Sequence, residues 1–291
     1  MAERTIMNKN PGHWKTFLTA TWLGWQVESN WTDLFVFLIY SIIAPLSRAA
    51  ILVVMYLVIR GNDFSNPEFV NMYLGNALFG LIGGVVNSIS GGIIEEREHY
   101  RTLKYLYVAP IKIPVYLVGR GVAAMAGATL SLIAAVLFAA IFLKMPLNFG
   151  AINWLMLIPS MIFGFVSFVS IGIFLAGWAL TIKNNPWVLG QSFVSLFFFV
   201  SGAVFPLSVI FGNAQWPGYL FPVGFWLVLT RRALVPGIGH GFAMYETLSD
   251  PQLLLLLIGY SIVSVVIAFV IFKRFDHKAR EEGMIDMVSN Y

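Results

Sequence analysis

A chain of 291 residues with 58% hydrophobic and 11% charged residues has too little polar surface to close into a soluble globule. Its mean hydropathy of +0.79 places it among polytopic membrane proteins. A net charge of +4 spread over both ends and one loop gives nucleic-acid binding little support, and the absence of cysteine excludes disulfides, thiolate metal sites and thiol nucleophiles.

Met1 to Asn10 carries Glu3, Arg4 and Lys9 and runs into no apolar core, which does not read as a cleavable signal peptide. Next, Trp14, Phe17, Leu18, Trp22 and Trp25 recur at helical spacing opposite Lys15, Thr16, Thr19 and Gln26. This predicts an amphipathic interfacial helix lying along the membrane surface. Because about 20 apolar residues cross the hydrocarbon, six spans are expected, at 34–59, 69–93, 114–143, 151–181, 187–205 and 251–272. Asn66-Pro67, Asn185-Pro186 and Asp250-Pro251 each set a capping side chain before a proline at a helix start, and Pro114 opens the third span similarly.

Arg48, just after Pro45, is the one charged residue deep inside a span as drawn, and no carboxylate in any span neutralises it. It reads either as the lining of a cavity that meets an anionic headgroup or phosphate, or as a partner of carbonyls at a subunit interface. The second span is rich in small residues, and Gly80 and Gly84 form a small-xxx-small pair that predicts tight helix packing.

Between the second and third spans, Glu95, Glu96, Arg97, Glu98, Arg101, Lys104, Lys112 and Arg120 supply eight of the chain's charged residues. An acidic opening, an apolar strip at Leu103, Leu106 and Tyr107, and a stop at Ala109-Pro110 predict a short amphipathic helix outside the membrane. A solvated loop that merely obeys the positive-inside rule is the plainer alternative. On one side of the spans lie thirteen basic residues: Arg4, Lys9, Lys15, the five from Arg97 to Arg120, Lys183, Lys273, Arg274, Lys278 and Arg280. The other side has four, Arg60, Lys144, Arg231 and Arg232, so both termini are expected to be cytoplasmic.

From Phe205 to Gly241 the chain is apolar, yet Pro206, Gly212, Pro217, Pro222, Pro236 and Gly237 interrupt it too often for one helix. Two short re-entrant helices on the outer side are expected, because backbone broken at membrane depth must be satisfied by protein or by a water-filled cavity. The aromatic residues from Phe193 to Trp226 are expected to form an interfacial belt. His13, His99, His240 and His277 lie far apart and no His-Glu-x-x-His occurs, so neither a catalytic nor a metal centre is expected.

The charged island, the run from Ser201 to Ser208, Phe221-Pro222 and Thr230 to Leu234 resemble, in order and spacing, the permeases of ABC-2 type transporters. Arg101-Thr102-Leu103-Lys104 keeps the threonine and leucine of the family's glycine-threonine-leucine-glutamate core and changes both flanks. The resemblance implies an all-α fold and a single transmembrane domain over residues 1–291: a cytoplasmic N-terminus with its interfacial helix (1–32), six spans (33–272) and a cytoplasmic tail (273–291). It implies a coupling helix in which Glu95, Glu96, Glu98, Arg101, Thr102, Leu103, Leu106, Tyr107 and Pro110 dock a partner. An outer gate at Phe205, Pro206, Pro217 and Pro222 and a pathway past Arg48 are implied with it. No Gly-x-x-x-x-Gly-Lys-Ser/Thr segment exists to cradle a triphosphate, so ATP and Mg would bind a separate ATP-binding subunit. The expected protein is thus no enzyme but a plasma-membrane exporter subunit, working as a dimer with a second copy or a paralogue and moving an amphipathic or lipid-linked substrate. An ion- or proton-coupled secondary transporter and a structural membrane protein stand as alternatives.

Overall fold

A computed structural model of the protein describes residues 12–29, 33–61, 63–212, 214–238 and 247–287, and among them there is no strand. Asn213, His240, Arg4 and Lys9 lie outside the described residues. The helices are α1 (His13–Ser29), α2 (Leu34–Arg60), α3 (Pro67–Ile94), α4 (Leu103–Val108), α5 (Ile113–Ile141), α6 (Trp154–Leu180), α7 (Trp187–Val200), α8 (Leu207–Phe211), α9 (Trp216–Tyr219), α10 (Pro222–Leu234) and α11 (Asp250–Glu281). A π-helical turn, Glu95–His99, continues α3. Five helices, α2, α3 with its π turn, α5, α6 and α11, are long and apolar enough to cross a membrane, which marks a multi-pass membrane protein.

The turn chemistry at helix starts holds in part. Asn66 accepts the Glu68 N–H at 2.8 Å with Pro67 at the first helical position. At α11 the cap is Ser249 rather than Asp250, with Gln252 completing a capping box. Asn185 does not cap α7; its backbone sits in the left-handed region, at φ 50°. The predicted span at 187–205 is a 14-residue helix, α7, because the chain turns at Ser201-Gly202 with Gly202 at φ 67°. At 1.5 Å per residue it covers about 21 Å of a hydrocarbon layer about 30 Å thick. The last predicted span is longer than its apolar stretch: α11 runs as far as Glu281 and includes the basic residues Lys273, Arg274, Lys278 and Arg280.

α3 is the central helix, buried on most sides by α5, α6, α7 and α10, while α2 and α11 turn rows of apolar side chains outward. Glycine makes the tight crossings. A methyl group on Gly121 or Gly172 would come within 2.7 or 2.8 Å of Ile89, so this α3 side chain fills a socket cut from α5 and α6. Gly80 does not take part: a methyl group there would meet nothing within 4 Å.

Among the described residues, the broken segment contains three short helices instead of two. α10 is internal along nearly its whole length, with Trp226 lying on Gly164 of α6 and Arg231 passing Gly75 of α3. Arg231 donates to the carbonyls of Gly202 at 3.3 Å and Ala203 at 2.6 Å, groups orphaned where α7 stops. Its neighbour Arg232 bonds the Leu248 carbonyl at 2.9 Å and pairs with Asp250 at 3.1 Å, tying α10 to the start of α11. Much of the predicted aromatic belt is therefore core: Trp226, Phe197 and Phe225 are buried, whereas Phe199, Phe205, Trp216 and Tyr219 are exposed.

A methyl group on Gly75 would stand 1.6 Å from the Arg231 guanidinium and 2.0 Å from the Ala203 carbonyl oxygen. Gly75→Ala is expected to lower stability by about 2 kcal/mol through this overpacking, read as a lower thermal midpoint in detergent. Gly80→Ala, at an open position, should leave the midpoint within a degree or so of the parent.

Candidate functional site

One end of the bundle collects the π turn, α4, the start of α5 and the end of α11. In the π turn the extra residue per turn sends neighbouring side chains to opposite sides. Glu95 and Glu96 face α5, where Arg120 pairs with them at 2.9 and 3.3 Å. Glu96 also accepts from Tyr116 at 2.5 Å and from the Thr102 hydroxyl. Arg120 reaches this position across Gly92, where a methyl group would lie 2.8 Å from the guanidinium carbon. Arg97 and Glu98 turn to α6: the two pair at 2.8 Å, and Arg97 donates to the Leu180 and Ile182 carbonyls at 3.1 and 3.2 Å, capping the end of that helix.

α4 hangs from this cluster with an orientation opposite to that predicted. Leu103 is 1% exposed, and Leu106 and Tyr107 pack against the core. The Tyr107 hydroxyl donates to Asp276 of α11 at 2.5 Å, and the Arg280 guanidinium lies 4.7 Å above its ring. Burial and the Asp276 carboxylate hold the Tyr107 hydroxyl proton well above the usual tyrosine range. The predicted docking strip thus belongs to the fold, and the acids Glu96 and Glu98 are buried with it. What α4 and its approach present outward is Tyr100, Arg101, Lys104, Tyr105 and Val108, with Pro110 exposed beyond. Arg101 holds a left-handed backbone, φ 55°.

Beside this end opens a cavity of about 1030 Å³ between α2, α3, α5 and α7. It extends along α3 from Asn76 to Glu95, about 28 Å at 1.5 Å per residue. Arg48 lines it, as do Asn76, Asn87 and Gln191, and Glu95 and Arg120 close it at the charged end. Glu28, at the end of α1, enters the wall there; it accepts from Ser88 at 3.1 Å and crowds Gly127. Its position follows from α1, which packs along α5 through Ala20 against Gly119 and Gly24 against Ala123. Burial pushes the Glu28 carboxyl above the usual range, partly offset by the Ser88 hydrogen bond and the charge of Arg120.

Phe205, Pro206, Pro217 and Pro222 do not line this cavity within one chain. Pro206 precedes α8, Pro217 sits in the first turn of α9, and Pro222 opens α10 and is buried. No group of three or more histidines or acids that could hold a metal ion occurs among the described residues. No family model matches the chain, and no curated protein matches it.

Glu28 gives a pH test of the cavity wall. A carboxyl whose folded value is raised contributes stability that is present below the unfolded value and is lost as pH rises through the raised one. Glu28→Gln keeps an acceptor for Ser88 and removes the titration. Its thermal midpoint should match the parent at pH below the ordinary glutamate range and exceed it as pH rises above that range; parallel curves would show that Glu28 is solvated.

Proposed function

We propose that this chain is the membrane-spanning subunit of an ATP-driven ABC-2 type exporter that moves an amphipathic or lipid-linked substrate outward across the plasma membrane. The observation that carries this reading is the position of Arg120. Its side chain lines the cavity and also holds Glu95 and Glu96, and Thr102, at the start of α4, bonds the same Glu96. A push on α4 is therefore delivered to the cavity wall through ion pairs and hydrogen bonds rather than through a loose loop. The second support is the resemblance in order and spacing set out above.

In this reading both termini and the charged end are cytoplasmic, and α7 serves as a short fifth span. The segment from α8 to α10 turns back from the outer side, which makes six passes. ATP and Mg bind a separate ATP-binding subunit seated on α4. A second copy or a paralogue closes the open side of the cavity, with Phe205, Pro206, Pro217 and Pro222 around its outer exit. The surface offered to the ATP-binding subunit is the exposed one, in which Arg101 and Lys104 flank Tyr105 and Val108. That face is cationic and aromatic, so the matching groove is acidic and apolar.

Two experiments test this. With an ATP-binding subunit encoded beside its gene, Lys104→Glu combined with Tyr105→Ala should cut co-purification about tenfold or more without changing the permease's elution. Leu103→Asp should instead reduce the folded yield; co-purification unaffected by the surface pair overturns the docking assignment. Single cysteines in this cysteine-free chain test the topology. Cysteines at Gln215 and Pro236 should react with an impermeant thiol reagent from outside, and those at Val108 and Lys183 only from inside.

Glu28 favours one second reading, a proton-coupled transporter, since its carboxyl lines the cavity and binds a proton more tightly than an ordinary glutamate. Transport that persists without ATP and stops when the proton gradient is collapsed would select it.

A further inference from the structure

Arg48 occupies the middle of the 27-residue α2, about 20 Å from either end. Pro45 cannot donate a backbone hydrogen bond, and the carbonyl this frees, that of Ser41, accepts the Ser131 hydroxyl of α5 at 2.8 Å. That bond and the buried Ala49 fix the rotation of α2, so that Phe37, Ala44 and Arg48, one helical face, border the cavity. The Arg48 Nε reaches back to the Ala44 carbonyl at 3.3 Å, and no carboxylate lies within 4 Å of the guanidinium among the described residues. The acids of the cavity are already engaged: Glu95 holds Arg120, and Glu28 holds Ser88, which lies twelve residues, or about 18 Å, along α3 from Asn76. Asn76 and Gln191 line the same cavity, Gln191 next to Gly190, which packs on Ser90 and Asn87 toward the charged end.

A guanidinium open to the cavity at mid-span, with no carboxylate within 4 Å among the described residues, presents its fork to the oxygens of an oxyanion. We infer that Arg48 binds the phosphate of an anionic amphiphile, whose apolar chains lie against the face that α2 turns to the bilayer. As a statement about cargo, this rests on the transporter reading. As a statement about binding, it does not.

The test therefore uses the isolated chain, with neither partner nor ATP, and native mass spectrometry in detergent with phosphatidylglycerol and phosphatidylcholine of matched chains. The parent should retain phosphatidylglycerol about tenfold better. Arg48→Leu should abolish that preference, Arg48→Lys should keep part of it, and Lys144→Leu, which removes an exposed cation away from the cavity, should leave it intact. Millimolar inorganic phosphate should not displace the lipid; displacement would mean a free-anion site and overturn the amphiphile. Equal retention of both lipids by the parent overturns the proposal without recourse to any variant, as does an undiminished preference in a folded Arg48→Leu. Neither result touches the transporter reading, which stands on the partner-dependent experiments.

Discussion

The pairing of Arg120 with Glu95 and Glu96 is the constraint around which this protein is arranged. Three charges near the edge of an apolar bundle cannot be left to lipid, and each is closed by another of the three together with Tyr116 and Thr102. The geometry follows from that requirement: Gly92 is bare so that Arg120 can cross α3, and Gly24 is bare so that α1 can lie close to α5 at the same level. Removing one partner would strand a buried charge, a penalty larger than the pair's own net worth. The cluster thus contributes specificity of arrangement more than stability.

A second theme runs through three other arginines. Two meet backbone where a helix stops, Arg97 at the end of α6 and Arg231 where α7 breaks off, and Arg232 meets a loop carbonyl just before α11. In water such carbonyls would be hydrated, but within an apolar layer they need a donor from the chain itself. Arginine suits the task because its fork can serve two carbonyls at once, as Arg231 does for Gly202 and Ala203. The break after α7 is satisfied from within the same segment, by Arg231 on α10.

What the sequence made legible was what the bilayer alone dictates. Apolar length located four of the long helices to within three residues and the start of the fifth, α11, whose polar end it missed, and Asn66-Pro67 marked the start of α3. What it hid depended on tertiary partners. Arg231 looks like a loop cation until Gly75 makes room for it, and Leu103 looks like a docking residue until α11 is seen beneath α4. A helix's apolar strip says that it packs, never against what. The cavity wall did leave a trace: Asn76, Gly80, Gly83, Asn87 and Gly91 recur at intervals of three and four on one face of α3, a polar and small stripe in an otherwise apolar span. Glu28 left none, since its placement depends on how α1 packs along α5.

The π-helical turn has a further consequence, one of counting. It carries a surplus residue relative to an α-helix, and each residue in a helix advances the chain by about 100°. The directions in which Glu96, Arg97 and Glu98 leave the end of α3 are therefore set by their count from Ile94, before the left-handed backbone at Arg101 turns the chain into α4. A lineage that lost a single codon there would turn the charged side chains downstream of the loss by about 100°, away from α5 and α6. A substitution in this stretch acts on one ion pair at a time, whereas an insertion or deletion displaces every side chain of the turn that follows it. The turn acts as a fixed phase angle between α3 and the charged side chains that tie it to α5 and α6.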